Sequence, residues 1–418
     1  MADLDVSAAG RLARLRAAAG EMGIRTFYLR NTSDIAWLTA FDGVFDDERA
    51  HALLVTPHDA VLHTDSRYSA AARRAAARES LITINDDRTT HAKFIASVFT
   101  ARHTPSCHPE RSEAQPSAVE GSPRPSTSPR AESAPTPASP TPAAPAPHDI
   151  VTGIEDTLTL ADFRALEAAF AAAPAAPQLR ETSNVVFALR AVKEPAEIAR
   201  MKAAQAITDA AFAHIIGFMR PGMTERAVQV ELEDWMRRHG ADGLAFPSIV
   251  ATGANGASPH AVPGATVLEA GQCVVMDFGA KAHGYCSDMT RTAFLGEPSS
   301  RMRDAYAAIR AANEQVEAAL RPGVTGAEMH ELAEQVLADH GFAGKMGHAL
   351  GHGVGMDIHE EPLLAPRNKE PLVPGNVVTV EPGVYLDGEF GMRLEDFGAI
   401  TADGYDVFTG STHDMVVL

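Results

Sequence analysis

The residues able to do chemistry cluster in the second half of the chain. Val274-Val-Met-Asp277-Phe-Gly-Ala-Lys-Ala-His-Gly-Tyr-Cys-Ser-Asp288-Met-Thr-Arg-Thr292 reads as two strands joined by a turn, each carrying one Asp. Folding about the Ala282–His283 bond would set Asp277 opposite Asp288, with β-carbons about 4.5–5.5 Å apart. Two carboxylates that close repel unless a proton or a cation lies between them. A second pair follows. Glu381, after Val377-Val-Thr-Val, and Glu395, after Met392-Arg-Leu, are symmetric about Gly388 and can also face each other across a hairpin. Between the pairs lies His348-Ala-Leu-Gly-His352-Gly-Val-Gly-Met-Asp-Ile-His359, with glycine on both sides of His352. Glycine there lets the backbone approach an ion or a substrate closely. Upstream, Ser258-Pro-His260 delivers another His on a Gly-rich loop.

Four carboxylates carry a charge that two divalent cations would balance, and one imidazole completes an oxygen-rich, nitrogen-poor set. Such a set suits Mn²⁺ or Co²⁺ and, lacking thiolates, leans away from structural zinc. Two metals roughly 3.5–4 Å apart can share a hydroxide, lower its pKa and polarise a carbonyl. Competing readings are weaker. Asp277-Phe-Gly resembles a kinase motif, but no His-Arg-Asp loop accompanies it. Gly351 to Gly355 could be read as a phosphate loop, yet nothing else supports a nucleotide.

These residues need elements to hold them. A helical pattern from Pro195 to Met219 is stopped by Arg220-Pro-Gly-Met-Thr224, and a second helix ends at His239-Gly240. A helix from Ser299 to Leu320 meets Arg321-Pro-Gly-Val-Thr325, and its successor ends at His340-Gly341, 101 residues after the first copy throughout. Pro-Gly breaks a helix, Thr caps the next and Gly ends it. The whole cassette at one offset indicates a duplicated unit. Two related halves, each offering a carboxylate pair across a pseudo-twofold axis, would build one four-carboxylate site. His239 and His340 read as helix-ending residues that favour the dipole there, and Cys273 and Cys286 as buried strand residues.

Before this domain, Val6 to Met22 reads as an amphipathic helix. Thr26-Phe-Tyr-Leu, Ala36-Trp-Leu-Thr, His51-Ala-Leu-Leu-Val-Thr and Ala60-Val-Leu-His-Thr read as short strands, and Ser66 opens another helix. Alternating strands and helices indicate an α/β domain over 1–190, with the second domain over 191–418. Residues 104–147 are dominated by Pro, Ser and Ala, a composition unable to bury enough apolar surface to order itself. Deleting 106–146 is therefore expected to leave melting temperature and turnover nearly unchanged; a large loss of melting temperature would show the segment to be structural.

At 418 residues the chain should hold two or three domains. Its net charge of −18 argues against nucleic-acid and anionic-membrane partners. No basic n-region leads into an apolar run at the start, no run of 18 apolar residues appears, and the three cysteines form no CxxC motif. A reduced, cytoplasmic protein is the simplest expectation.

The order Ser258-Pro-His260, Asp277-Phe-Gly, Asp288-Met-Thr-Arg-Thr, His348-xx-Gly-His352-Gly, His359-Glu, Glu381-Pro-Gly and Arg393-Leu-Glu395-Asp resembles the M24 "pita-bread" metallopeptidases, in their Xaa-Pro aminopeptidase and Xaa-Pro dipeptidase branch. The likeness is strongest over 185–418. Trp37-Leu-Thr-Ala-Phe and Thr64-Asp-Ser-Arg-Tyr resemble the creatinase-type N-terminal domain; the 104–147 insert matches nothing. The resemblance implies an α/β first domain and an α+β pita-bread catalytic domain. It implies two divalent ions, Mn first with Co or Zn possible, held by Asp277, Asp288, His352, Glu381 and Glu395. His260 and His359 would bind the scissile carbonyl and the tetrahedral intermediate, and Glu381 would shuttle the proton. His348, Tyr385 and Arg393 would support the ligands or touch substrate.

The expected activity is removal of an N-terminal residue preceding proline in peptides, by a homodimer. Its rivals are the Xaa-Pro dipeptidase, methionine aminopeptidase, a metal-free amidinohydrolase of the creatinase kind and a non-catalytic peptide-binding scaffold. Arg393 is the only cation the motifs place near the site, with Arg67 of the first domain as a further candidate.

Overall fold

The computed structural model describes residues 6–46, 48–78, 81–101, 150–173 and 177–418. The expected 104–147 insert, with Cys107, lies outside these residues.

The first domain is built on a six-stranded sheet in the order Ile82–Asn85, Ala60–His63, Ala52–Val55, Thr26–Leu29, Val151–Glu155, Gln178–Thr182. Thr26–Leu29 and Ala52–Val55 are buried at every position, because helices cover both faces. Their apolar side chains accordingly run without alternation. One expected strand is a helix. Ala36-Trp-Leu-Thr belongs to the helix Thr32–Thr39, which Asn31 caps by accepting from Asp34 N and which Ala40 ends in the left-handed region. A short apolar run suits strand and helix alike, and the cap decides between them.

In the second domain, Pro195–Phe218 pairs with Glu225–Arg238, and Ser300–Ala319 with Gly326–Asp339. Thr224 and Thr325 cap the later helix of each pair, while Gly222 and Gly323 take φ of 94° and 95° in the joints. The first pair packs on a sheet ordered Val416–Val417, Met289–Phe294, Cys273–Phe278, Ile249–Thr252. The second packs on Glu360–Leu364, Gly351–Gly353, Val377–Val380, Asp396–Ile400, Tyr405–Val407. The ring Nδ1 of His239 lies 2.7 Å from Trp235 O and that of His340 2.8 Å from Val336 O, so both cap their helices as expected. Cys273 and Cys286 are buried in strands. No helix of the described residues is long and apolar enough to cross a membrane.

The Asp277–Asp288 hairpin is offset from the expected register. Ala282 pairs with Tyr285, Lys281 with Cys286 and Asp277 with Thr290, so Asp277 does not face Asp288. The turn is His283-Gly284, with φ of 51° and 78°. A two-residue turn of this kind wants left-handed backbone at both central positions, and glycine takes one at no steric cost. Asp288 lies in a break between Tyr285–Cys286 and Met289–Phe294, not in a strand. The ladder is interrupted there because Gly279 lets the Ser287 carbonyl approach where a β-carbon would sit. Glu381 and Glu395 keep the expected register: Val380 pairs with Asp396 on one side of them and Gly383 with Arg393 on the other.

Candidate metallopeptidase active site

Asp277, Asp288, His352, Glu381 and Glu395 line one cavity of about 530 Å³, together with His260, His348, His359 and Arg393. Ligand atoms of Asp288, His352 and Glu395 lie within 4.8 Å of one another. His352 Nε2 is 3.5 Å from both Asp288 Oδ2 and Glu381 Oε1. Its Nδ1 lies 3.0 Å from Gly353 O, and this bond fixes the tautomer that leaves Nε2 with a lone pair facing the carboxylates. Burial lowers the His352 pKa to about 4, so the ring is neutral.

The glycines beside His352 admit close packing of neighbouring strands. A β-carbon at Gly351 would meet the Thr379 carbonyl, and one at Gly353 the Glu361 carbonyl. They let the strand fit between its neighbours.

Two threonines that sequence reasoning missed stitch the halves together. Thr290 stands across from Asp277, and its Oγ1 lies 2.6 Å from Glu395 Oε2 while accepting from Arg393 Nε at 2.8 Å. Thr379 Oγ1 donates to Glu381 Oε1 at 3.2 Å and accepts from His352 N at 3.0 Å. The available signal was spacing: each Thr is two residues from a carboxylate ligand candidate, so a strand would put both on one face. Arg393 pairs with Asp277 and lies 3.9 Å from Glu395, and its Nη1 donates to Tyr385 Oη at 2.8 Å. Tyr385 in turn lies 3.1 Å from His348 Nε2. His348, Tyr385 and Arg393 thus form one chain ending on Asp277. Asp396 is held by Arg291 at 2.7 Å and His413 at 2.7 Å, and Arg291 also donates to the Glu395 carbonyl.

Charge tests whether cations fit here. Four carboxylates share one buried region, with the Arg393 guanidinium against Asp277 and Glu395. Burial, then neighbouring carboxylates, push Asp288 and Glu395 well above the usual carboxylate range. Burial raises Glu381 to about 7, and Asp277 is also raised despite Arg393. Asp277 Oδ1 is buried without a hydrogen-bond partner among the described residues. Oxygen donors that crowded, with one free imidazole nitrogen, are the surroundings a divalent cation stabilises.

The chain matches the family model "Metallopeptidase family M24" over residues 199–402 and "Creatinase/Prolidase N-terminal domain" over 11–105. The uncharacterized peptidase YqhT of Bacillus subtilis is 40% identical over 251 residues, 60% of this chain and 71% of that protein. The Xaa-Pro dipeptidase of Lactobacillus delbrueckii is 35% identical over 62% of this chain and 70% of its own.

The chain belongs to metallopeptidase family M24.

A solved Xaa-Pro dipeptidase from Bacillus anthracis superposes with a TM-score of 0.81 at 32% identity, covering 99% of this chain and 100% of that one. An X-Pro aminopeptidase from Thermotoga maritima gives 0.76 at 27% identity, covering 96% and 100%. The creatinase-type first domain and the pita-bread catalytic domain stand as expected, and M24 enzymes use divalent metals.

Two M24 cavity residues had no motif to announce them. Arg226 and Gln229, on Glu225–Arg238, line the same cavity as His260. Gln229 Oε1 is buried without a partner, and the Arg226 guanidinium makes no hydrogen bond or ion pair among the described residues. Arg393 is therefore not the only cation of the cavity. Arg67 is not in its lining; it pairs on the surface with Glu48 and Asp65.

Proposed function

We propose that this M24 peptidase is an Xaa-Pro dipeptidase. The observation that carries the choice is Arg226. A dipeptidase must anchor the proline carboxylate, and an unpartnered guanidinium in the cavity wall is suited to it. The expectation of an aminopeptidase rested on Arg393 being the one cation near the site. The Xaa-Pro dipeptidase names among the relatives support the same reading; the aminopeptidase keeps support from the Thermotoga maritima structure.

Asp277, Asp288, His352, Glu381 and Glu395 would hold two divalent ions, Mn²⁺ first. When bound, such ions supply a water-derived nucleophile at neutral pH and polarise the scissile carbonyl. The remaining work belongs to side chains. The Xaa-Pro bond is a tertiary amide without N–H, so recognition uses its carbonyl and the two ends of the dipeptide. His260 and His359 donate to the carbonyl oxygen as charge grows on it. Burial lowers the His359 pKa, so its ring is neutral near pH 7, with one N–H to donate. Glu381 takes a proton and delivers it to the proline nitrogen, which cannot leave as an anion. Arg393 and Tyr385 hold Asp277 in place.

Side-by-side kinetics on Ala-Pro and Ala-Pro-Ala test the reading. The dipeptide should be turned over much faster; a tripeptide cleaved as well as the dipeptide returns the aminopeptidase. Arg226→Met should raise KM for Ala-Pro roughly 10- to 100-fold, the worth of one hydrogen bond to a charged group, with kcat little changed. Ala-Pro-amide, lacking the carboxylate, should not respond to that substitution. An unchanged KM for Ala-Pro would remove Arg226 from the site.

A further inference from the structure

The segment carrying His352 and His359 is folded around one buried carboxylate, that of Glu360. Glu360 pairs with Gly353 across the strands. A β-carbon at Gly355 would fall on the Glu360 carboxylate, so the loop passes directly against it. Asp357 N donates to Glu360 Oε1 at 3.1 Å. The loop between the two histidines thus has an anion at its centre.

That anion is gripped by cations on both sides of the domain boundary. Arg190, the last residue of the helix Val185–Arg190, pairs with Glu360 Oε1, and Lys193 Nζ lies 2.7 Å from Oε2. Arg190 also reaches Asp34 Oδ1 and Asp357 Oδ2, each at 2.7 Å. Asp34 belongs to the first-domain helix Thr32–Thr39, and Ser33 of that helix donates to Asp357 Oδ1 at 2.5 Å. The side chains of Arg190, Lys193 and Glu360 are each 1% exposed. Burial opposes the charge on Glu360, but Arg190 and Lys193 outweigh it and lower the carboxyl to about 2.

A buried ion cluster is a weak source of stability, because desolvation offsets most of the Coulomb attraction. This one has a direction: it runs from a first-domain helix, through Arg190, to the residue next to His359. We infer that Glu360 is a positioning residue for His359, and that Asp34 and Arg190 make the first domain part of that positioning. The inference rests on the catalytic reading of His359 given above.

A second ion cluster joins the same domains and supplies the control. Arg11 lies 3.0 Å from Glu194 and donates to Trp37 O at 2.8 Å, without touching the histidine loop. Glu360→Gln, Asp34→Asn, Arg11→Met and His359→Ala are compared for bound metal, melting temperature, kcat and KM, well below the lowest melting temperature. Misplacement of a reacting group by about 1 Å costs up to roughly 100-fold, so Glu360→Gln should lose 10- to 100-fold in kcat. Its KM and bound metal should stay near wild type. Asp34→Asn should lose kcat in the same way and by less. Arg11→Met should lower the melting temperature yet keep kcat. Wild-type kcat in Glu360→Gln, metal lost in step with kcat, or an equal kcat loss in Arg11→Met would each overturn the inference. Should Glu360→Gln fail to fold, Asp34→Asn decides, and wild-type kcat there overturns it. Full turnover in His359→Ala would instead remove the catalytic reading of His359, and the inference with it.

Discussion

Replacing His352 with alanine is expected to give a folded protein that binds little divalent metal and has no measurable peptidase activity. The ring is neutral, so its removal takes no charge out of the fold. The strand pairing around it is backbone, and the Thr379 bond to His352 N does not need the ring. What disappears is the Nε2 lone pair aimed between Asp288 and Glu381. Partners outside the ligand shell alone are worth about 10- to 100-fold in metal affinity, so a ligand should cost roughly 100-fold or more. Elemental analysis of the dialysed variant, circular dichroism and turnover with added Mn²⁺ decide it. Wild-type metal content with wild-type activity would sink the assignment of His352 as a ligand.

His260→Ala and His359→Ala should behave in the opposite way, keeping metal and losing turnover. Both line the cavity, and neither belongs to the Asp288, His352 and Glu395 trio. His359 stands edge-on to His352 with ring centroids 4.5 Å apart, close enough to act on the same substrate atom. Removing one donor to a developing oxyanion costs roughly 10²–10³ in kcat. KM should change little, since the bond strengthens only as charge develops. Metal titration alongside kinetics separates the roles. Metal lost in parallel with activity would make that His a ligand and enlarge the ligand set.

The site's composition was legible because its chemistry is local. Four carboxylates and a Gly-flanked His sit in short motifs, and a hairpin symmetric about Gly388 sets Glu381 against Glu395 within a few residues of chain. Helix caps at Thr224 and Thr325 were readable for the same reason: a cap involves residues three apart. The Asp277 hairpin marks the edge of that legibility. Two adjacent turn centres were open to the chain, and the one placing Gly284 in the left-handed region sets the register, while the Ser287 approach to Gly279 turns Asp288 out of the ladder. Ala36-Trp-Leu-Thr failed likewise, being apolar enough for either element.

What lay beyond sequence was set by packing between distant segments. Arg226 is one charged residue on a helix, and nothing along the chain says that its side faces the cavity. Arg190 meets Asp34 and Glu360 across separations of 156 and 170 residues. A charge on its own has no preferred partner. It acquires partners only when folding excludes water and brings particular counter-charges within reach, and that exclusion belongs to the assembled tertiary structure.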